Sequence, residues 1–225
     1  MLASIYGGEL WAPRLPDPQG ESPAAQANWL ELDRSPHALQ FYSGDDLLLD
    51  SLARFISTAL EAGESVFVLA TPVHLDGIAS RLRAQGVDTD AAARKGRYVV
   101  VDALQGLARL TVNGELSRAR LDEFVQEVFL PLEAAAESKP KAVAACGEVV
   151  ALLWAEGKAE AAIELEHFWN EVAERVRCRL RCFYPVASFP DPVQNELFLK
   201  LCAEHADVIP HKSHLHIVAG RDKVA

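Results

Sequence analysis

From His37 onward the chain alternates short, nearly continuous apolar runs with stretches whose apolar residues recur at helical spacing. Val66-Phe-Val-Leu-Ala70 is the clearest short run, bounded by Gly63 on one side and Thr71-Pro72 on the other. A strand that is apolar on both faces has to be covered on both faces, which is the condition of a parallel sheet held between helices. The expected architecture is therefore α/β, a three-layer Rossmann-type fold with a mainly parallel central sheet flanked by helices. Five strands are expected, at about 38–42, 66–70, 97–102, 141–146 and 178–184. The helix after the first strand carries the stripe Leu48, Leu49, Leu52, Phe55, Ile56 and Leu60, with Asp45 as its cap and Gly63 as its stop. Thr71-Pro72 opens a second helix that closes near Gly86, with Pro at a favourable first position. Further helices are expected over about 103–116 (ending in a turn at Asn113-Gly114), 117–138, 148–155, 159–176 and 193–204, with Gly157 as a break.

The chain has 225 residues, half of them hydrophobic, enough for one α/β domain with a full core. Residues 1–35 are proline-rich with little periodicity and read as a leader, flexible or loosely docked, in which Trp11 and Trp29 are candidate contacts. The folded domain is expected over 36–212, with 213–225 as a tail. A net charge of −10 argues against nucleic acid as a partner, because phosphate binding requires clustered Lys and Arg. No apolar run has the length of a membrane span, and the N-terminus lacks a cationic start followed by an apolar block. A cytoplasmic location without membrane contact follows, and with it reduced thiols at Cys146, Cys178, Cys182 and Cys202.

The turn between the first strand and its helix, Tyr42-Ser-Gly-Asp-Asp46, lies where a nucleotide-binding α/β domain carries its phosphate loop. Such a loop needs closely spaced glycines, a Lys and a Ser or Thr for phosphate and Mg²⁺. Here a single glycine is followed by two carboxylates, which suit a helix N-terminus and repel a triphosphate. The frame is that of an ATPase, but the groups for its chemistry are missing.

Six strings then fall in a fixed order: His37-x-x-Gln-Phe-Tyr42; Glu64 to Pro72; Gly147-Glu-Val-Val-Ala-Leu-Leu-Trp-Ala-Glu-Gly157; Glu166-x-x-Trp-Asn170; Cys182-Phe-Tyr-Pro185; and Cys202-Ala-Glu-His205-x-x-Val-Ile-Pro210. Together they resemble the MEDS domain, the methanogen and methylotroph sensory domain of the dichloromethane-responsive repressor, over roughly residues 35–212. The resemblance implies a RecA/KaiC-like core with a degenerate phosphate loop. It also implies sensing of a small organic molecule on behalf of a histidine kinase or a transcription regulator. This chain carries no helix-turn-helix, kinase His box or ATP lid, so the output is expected on a partner protein.

Ligands of open parallel sheets bind at the strand C-termini. The groups expected there are Tyr42, Ser43, Thr71, His74, Asp102, Glu148 and Tyr184, with Trp154 and His205 as further candidates for the pocket. For any one of them the plainer reading is a strand end facing solvent; Glu148, directly after Gly147, is the strongest candidate. Trp154 and Trp169 also fit a core role, and His37, at the far end of its strand, fits a structural one. Cys202, His205, His211 and His214 form a rival metal set, though their spacing matches no compact zinc module. Cys146 reads as a small core residue, and no nucleophile elbow is present. The leading expectation is a non-catalytic sensory domain that needs no cofactor, binds a small organic ligand at the rim and regulates a partner protein. The alternatives are a residual nucleotide-binding protein or weak ATPase, and a scaffold acting only through protein contacts. A homodimer is a further possibility.

Overall fold

A computed structural model describes residues 35–189 and 196–209. The expected leader, the tail with His211 and His214, and the start of the last helix lie outside the described residues. Six parallel strands, β1 (His37–Tyr42), β2 (Ser65–Ala70), β3 (Tyr98–Asp102), β6 (Val143–Gly147), β7 (Cys178–Pro185) and β8 (Asp207–Ile209), form one sheet in the order β3-β2-β6-β7-β1-β8. A two-residue hairpin, β4 (Thr111–Val112) and β5 (Glu115–Leu116), turns at Asn113-Gly114.

Side chains on a strand alternate between faces, so each strand feeds two cores. Val66, Val68, Ala70, Ala144, Cys146 and Phe183 face α1 (Asp45–Glu61) and α2 (Pro72–Ala84). Leu39, Phe41, Phe67, Leu69, Ala145, Cys182 and Tyr184 face the other layer. That layer is built from α4 (Ala103–Leu110), α5 (Arg118–Phe124), α6 (Leu130–Ala135), α7 (Val149–Ala155), α8 (Ala159–Arg175) and α9 (Glu196–Ala203). The three-layer Rossmann-like architecture is thus the expected one, and every pairing in the main sheet is parallel. None of the helices among the described residues is long and apolar enough to cross a membrane.

Four local features depart from expectation. A short helix, α3 (Thr89–Arg94), capped by Asp88 accepting from Ala91 N at 2.8 Å, fills the connection before β3. The long helix over 118–135 contains a π-helical turn, Val125–Phe129. Its cause is Pro131, which has no N–H to donate and whose ring excludes the carbonyl four residues back. The segment after α9 is a strand, β8, whose Asp207 and Val208 pair with Ala38 and Leu39. Finally, Asp45 does not cap α1. Gly44 is the capping residue without a side-chain bond, and Asp45 is the first helical residue, free to point elsewhere.

Gly147 marks a close approach of β6 to β2. A Cβ there would stand 2.9 Å from the Leu69 carbonyl oxygen, so only glycine lets β6 and β2 end side by side.

Candidate functional site

β2 leads outward to β3, whereas β6 leads the other way to β7, so the C-terminal ends of β2 and β6 form a topological switch point, the usual ligand crevice of an open parallel sheet. Glu148 spans it. Its backbone N–H donates to Leu69 O at 3.0 Å, and its Oε1 accepts from Thr71 N at 2.5 Å. His74, one turn into α2, places Nδ1 2.9 Å and 3.0 Å from the two Glu148 oxygens. The opposite nitrogen, Nε2, lies 3.6 Å from Asp45 Oδ1 at the start of α1. Tyr42, ending β1, sets its ring edge-on to His74 at 5.9 Å.

The electrostatics follow from this packing. The hydrogen bond to Glu148 raises the His74 pKa above its ordinary value of 6.5, against the opposing effect of burial. Burial, with the Glu148 and Asp45 charges behind it, pushes the Tyr42 hydroxyl up to about 12. The neighbouring Asp46 is taken by Arg81, whose Nη2 lies 2.7 Å from Oδ1, while Arg81 Nε holds Asp50 at 2.6 Å. The phosphate-loop position is therefore occupied by a carboxylate–imidazole–carboxylate row.

The expected rim set divides. Tyr42, Thr71, His74 and Glu148 come together, with Ser43 in the exposed turn beside them. Asp102 ends the edge strand β3 and caps α4, accepting from Gln105 N at 2.9 Å. Tyr184 and His205 lie on the other side of the sheet, because the alternation of β7 sends Phe183 toward α1 and Tyr184 toward α8. Trp154 is half-buried on α7 with its ring 6.3 Å from Tyr184 and 4.9 Å from Phe189. Trp169 is core, packed on Phe124 and Phe129. Cys146 is buried, and burial pushes its thiol up to about 12, which disfavours the thiolate.

A second polar cluster lies on the α8 face. Glu166, fully buried in the middle of α8, receives the Tyr184 hydroxyl on Oε1 at 3.0 Å. Its Oε2 meets His37 Nε2 at 3.2 Å, His205 Nε2 at 3.5 Å and Cys182 Sγ at 3.1 Å. Burial alone would push this carboxyl up; the His205 and His37 imidazoles reverse that and hold it well below the carboxylate range. Burial and the Glu166 charge raise both the Cys182 thiol and the Tyr184 hydroxyl well above their ordinary values. His37 is thus a member of a polar cluster, bonded to Asn170 and Glu166. His205 joins His37, and Cys202 is a buried thiol outside the cluster, while His211 and His214 lie outside the described residues.

Sequence reasoning missed this grouping because its four members come from β1, α8, β7 and the α9–β8 junction. A usable signal was present nonetheless: each member sits in one of the six strings that carry the family resemblance.

Between β6, α7 and the π-helical turn lies a cavity of about 30 Å³, whose lining includes Phe67, Phe129, Ala145, Gly147, Val149 and Cys182. Its walls are almost wholly apolar.

This is a Rossmann-like α/β domain whose sheet edge carries paired polar side chains where a glycine-rich loop would bind phosphate. The chain belongs to the MEDS family: the model of the methanogen/methylotroph, DcmR sensory domain matches residues 36–199, well over half of its length. Membership assigns it a sensory or signalling role. A comparison with curated proteins finds no match.

Proposed function

We propose that this domain senses a small, largely apolar organic molecule without turning it over, and passes its state to a partner protein such as a histidine kinase or a transcription regulator. The observation that carries the reading is the position of the cavity. Gly147, Val149 and Val150 line it, so its wall is the same β6–α7 turn that holds Glu148 against His74. A molecule filling the cavity pushes on that turn and so on the Glu148–His74–Asp45 row, which ends on the exposed start of α1. The binding space lies beneath the rim, and the rim acts as the relay. The absence of turnover is supported by the two carboxylates, Asp45 and Asp46, that stand where phosphate chemistry needs a Lys and a hydroxyl.

The test is a thermal-shift screen of small neutral organic compounds on the wild type and on Ala145→Val, which fills the cavity. A true ligand at a hundredfold excess over its Kd adds about 2.7 kcal/mol, roughly 5–10 °C in Tm for a chain of this size. The shift is expected in the wild type and lost in Ala145→Val. A shift that survives the filling, or the lack of any stabilising compound, overturns the reading.

A further inference from the structure

We infer that His37, Glu166, Cys182 and His205 form a binding site for one divalent transition-metal ion, with Zn²⁺ the best match. This differs from the set that spacing suggested, since only His205 is common to both. Cys182 also lines the apolar cavity, but the assignment does not depend on the ligand reading above.

The four groups offer one atom each, and those atoms all lie within 4.8 Å of one another. Tetrahedral coordination at the usual Zn–N, Zn–O and Zn–S lengths sets ligand atoms about 3.3–3.6 Å apart. The measured separations of 3.2 Å, 3.5 Å and 3.1 Å from Glu166 Oε2, and 3.4 Å between His37 Nε2 and Cys182 Sγ, fall close to that. Two imidazoles, a thiol and a carboxylate are the donor set that suits Zn²⁺ and its neighbours rather than Ca²⁺ or Mg²⁺.

The surroundings fix which atoms face the centre. Asn170 Nδ2 donates to the Glu204 carbonyl at 2.8 Å, so its Oδ1 is the atom turned toward His37 Nδ1, 2.9 Å away. Nδ1 of His37 therefore carries a hydrogen, which leaves Nε2 as the atom that can give a lone pair to a metal. His205 is set the same way by the Leu201 carbonyl, 2.8 Å from Nδ1. The Tyr184 hydroxyl occupies the other Glu166 oxygen. Outer partners that orient both imidazoles and the carboxylate are the usual accompaniment of a metal centre. The fully buried His205 Nε2 makes no hydrogen bond and faces Glu166 Oε2 at 3.5 Å, inside the cluster.

Charge favours the same answer. Two neutral imidazoles, one thiolate and one carboxylate around a 2+ ion sum to zero, which avoids burying a net charge. Binding is a ligand exchange with no redox change: the thiol proton of Cys182 and any imidazole proton pass to solvent as the four donor pairs bind the ion.

The experiment uses the full chain, stripped with chelator and titrated with Co²⁺ and with Zn²⁺ against a chromophoric chelator. About one equivalent is expected, with the visible bands of a tetrahedral Co²⁺ site and a thiolate-to-cobalt charge-transfer band. Cys182→Ser is expected to abolish that band and His205→Gln to weaken binding, whereas changing His211, His214 and His216 together to Ala leaves both intact. Asn170→Ala, which spares the four donors, is expected to weaken Zn²⁺ about 10–100-fold. The assignment is overturned by lack of binding, by a charge-transfer band that persists in Cys182→Ser, or by loss of binding in the triple tail variant. If Cys182→Ser or His205→Gln does not fold, Asn170→Ala decides, and an unchanged affinity rejects the site.

Discussion

His74 is the residue on which the rim turns, because it touches both carboxylates of the row. Its pKa is raised in the fold by the Glu148 hydrogen bond, so its protonated form is favoured over that in the unfolded chain. A raised value means that the stabilisation is complete below the ordinary 6.5 and disappears as pH climbs through the folded-state value. The stability difference between wild type and His74→Gln, measured by urea unfolding at successive pH values, is expected to shrink as pH rises from about 6. A difference that is constant or grows with pH rejects this account. At this scale the sequence was readable only where chemistry and strand end coincide. Glu148 and Thr71 end adjacent parallel strands and were expected at the rim; they are there, and they meet. Tyr184 was expected beside them, but strand alternation turned it to the other face. Asp102 ends a strand too, yet β3 is the sheet edge, and its carboxylate serves α4.

Among the elements, the legible ones were those long enough to show a period. The stripe of α1 and the apolar run of β2 each extend over the whole element, so their place in the core follows from composition alone. α3 has six residues and β8 three, too few for either periodicity to show, and only tertiary contact makes them regular. The π-helical turn was invisible for another reason: Pro131 is the signal, but it reads equally as a helix break. One position tests how tightly the elements are set. Gly147→Ala places a methyl 2.9 Å from the Leu69 carbonyl oxygen and 3.2 Å from its Cβ, contacts that rigid backbone cannot relieve. The variant is expected to lose about 1–3 kcal/mol in urea unfolding, the range for overpacking a close-fitted contact. A neutral result means that β2 and β6 can separate without penalty and that the Glu148 geometry is looser than described.

For the molecule as a whole, the order of the strands in space differs sharply from their order in the chain. β1 lies between β7 and β8, with His37 opposite Leu180 and Ala38 opposite Asp207. His37 of β1 and His205, at the α9–β8 junction, thus share one cluster, and this long-range closure was not readable from local pattern. The same arrangement orders events during synthesis. As the chain leaves the ribosome, β1 emerges before the other described strands and finds neither neighbour; both are made more than a hundred residues later. Non-local parallel pairing of this kind is slow to form and exposes strand edges while it waits. Nascent chains arrested before Cys178 are therefore expected to leave β1 open to protease and to chaperones, and chains released beyond Ile209 to protect it. Of the described strands, the first to be synthesised is among the last to be seated.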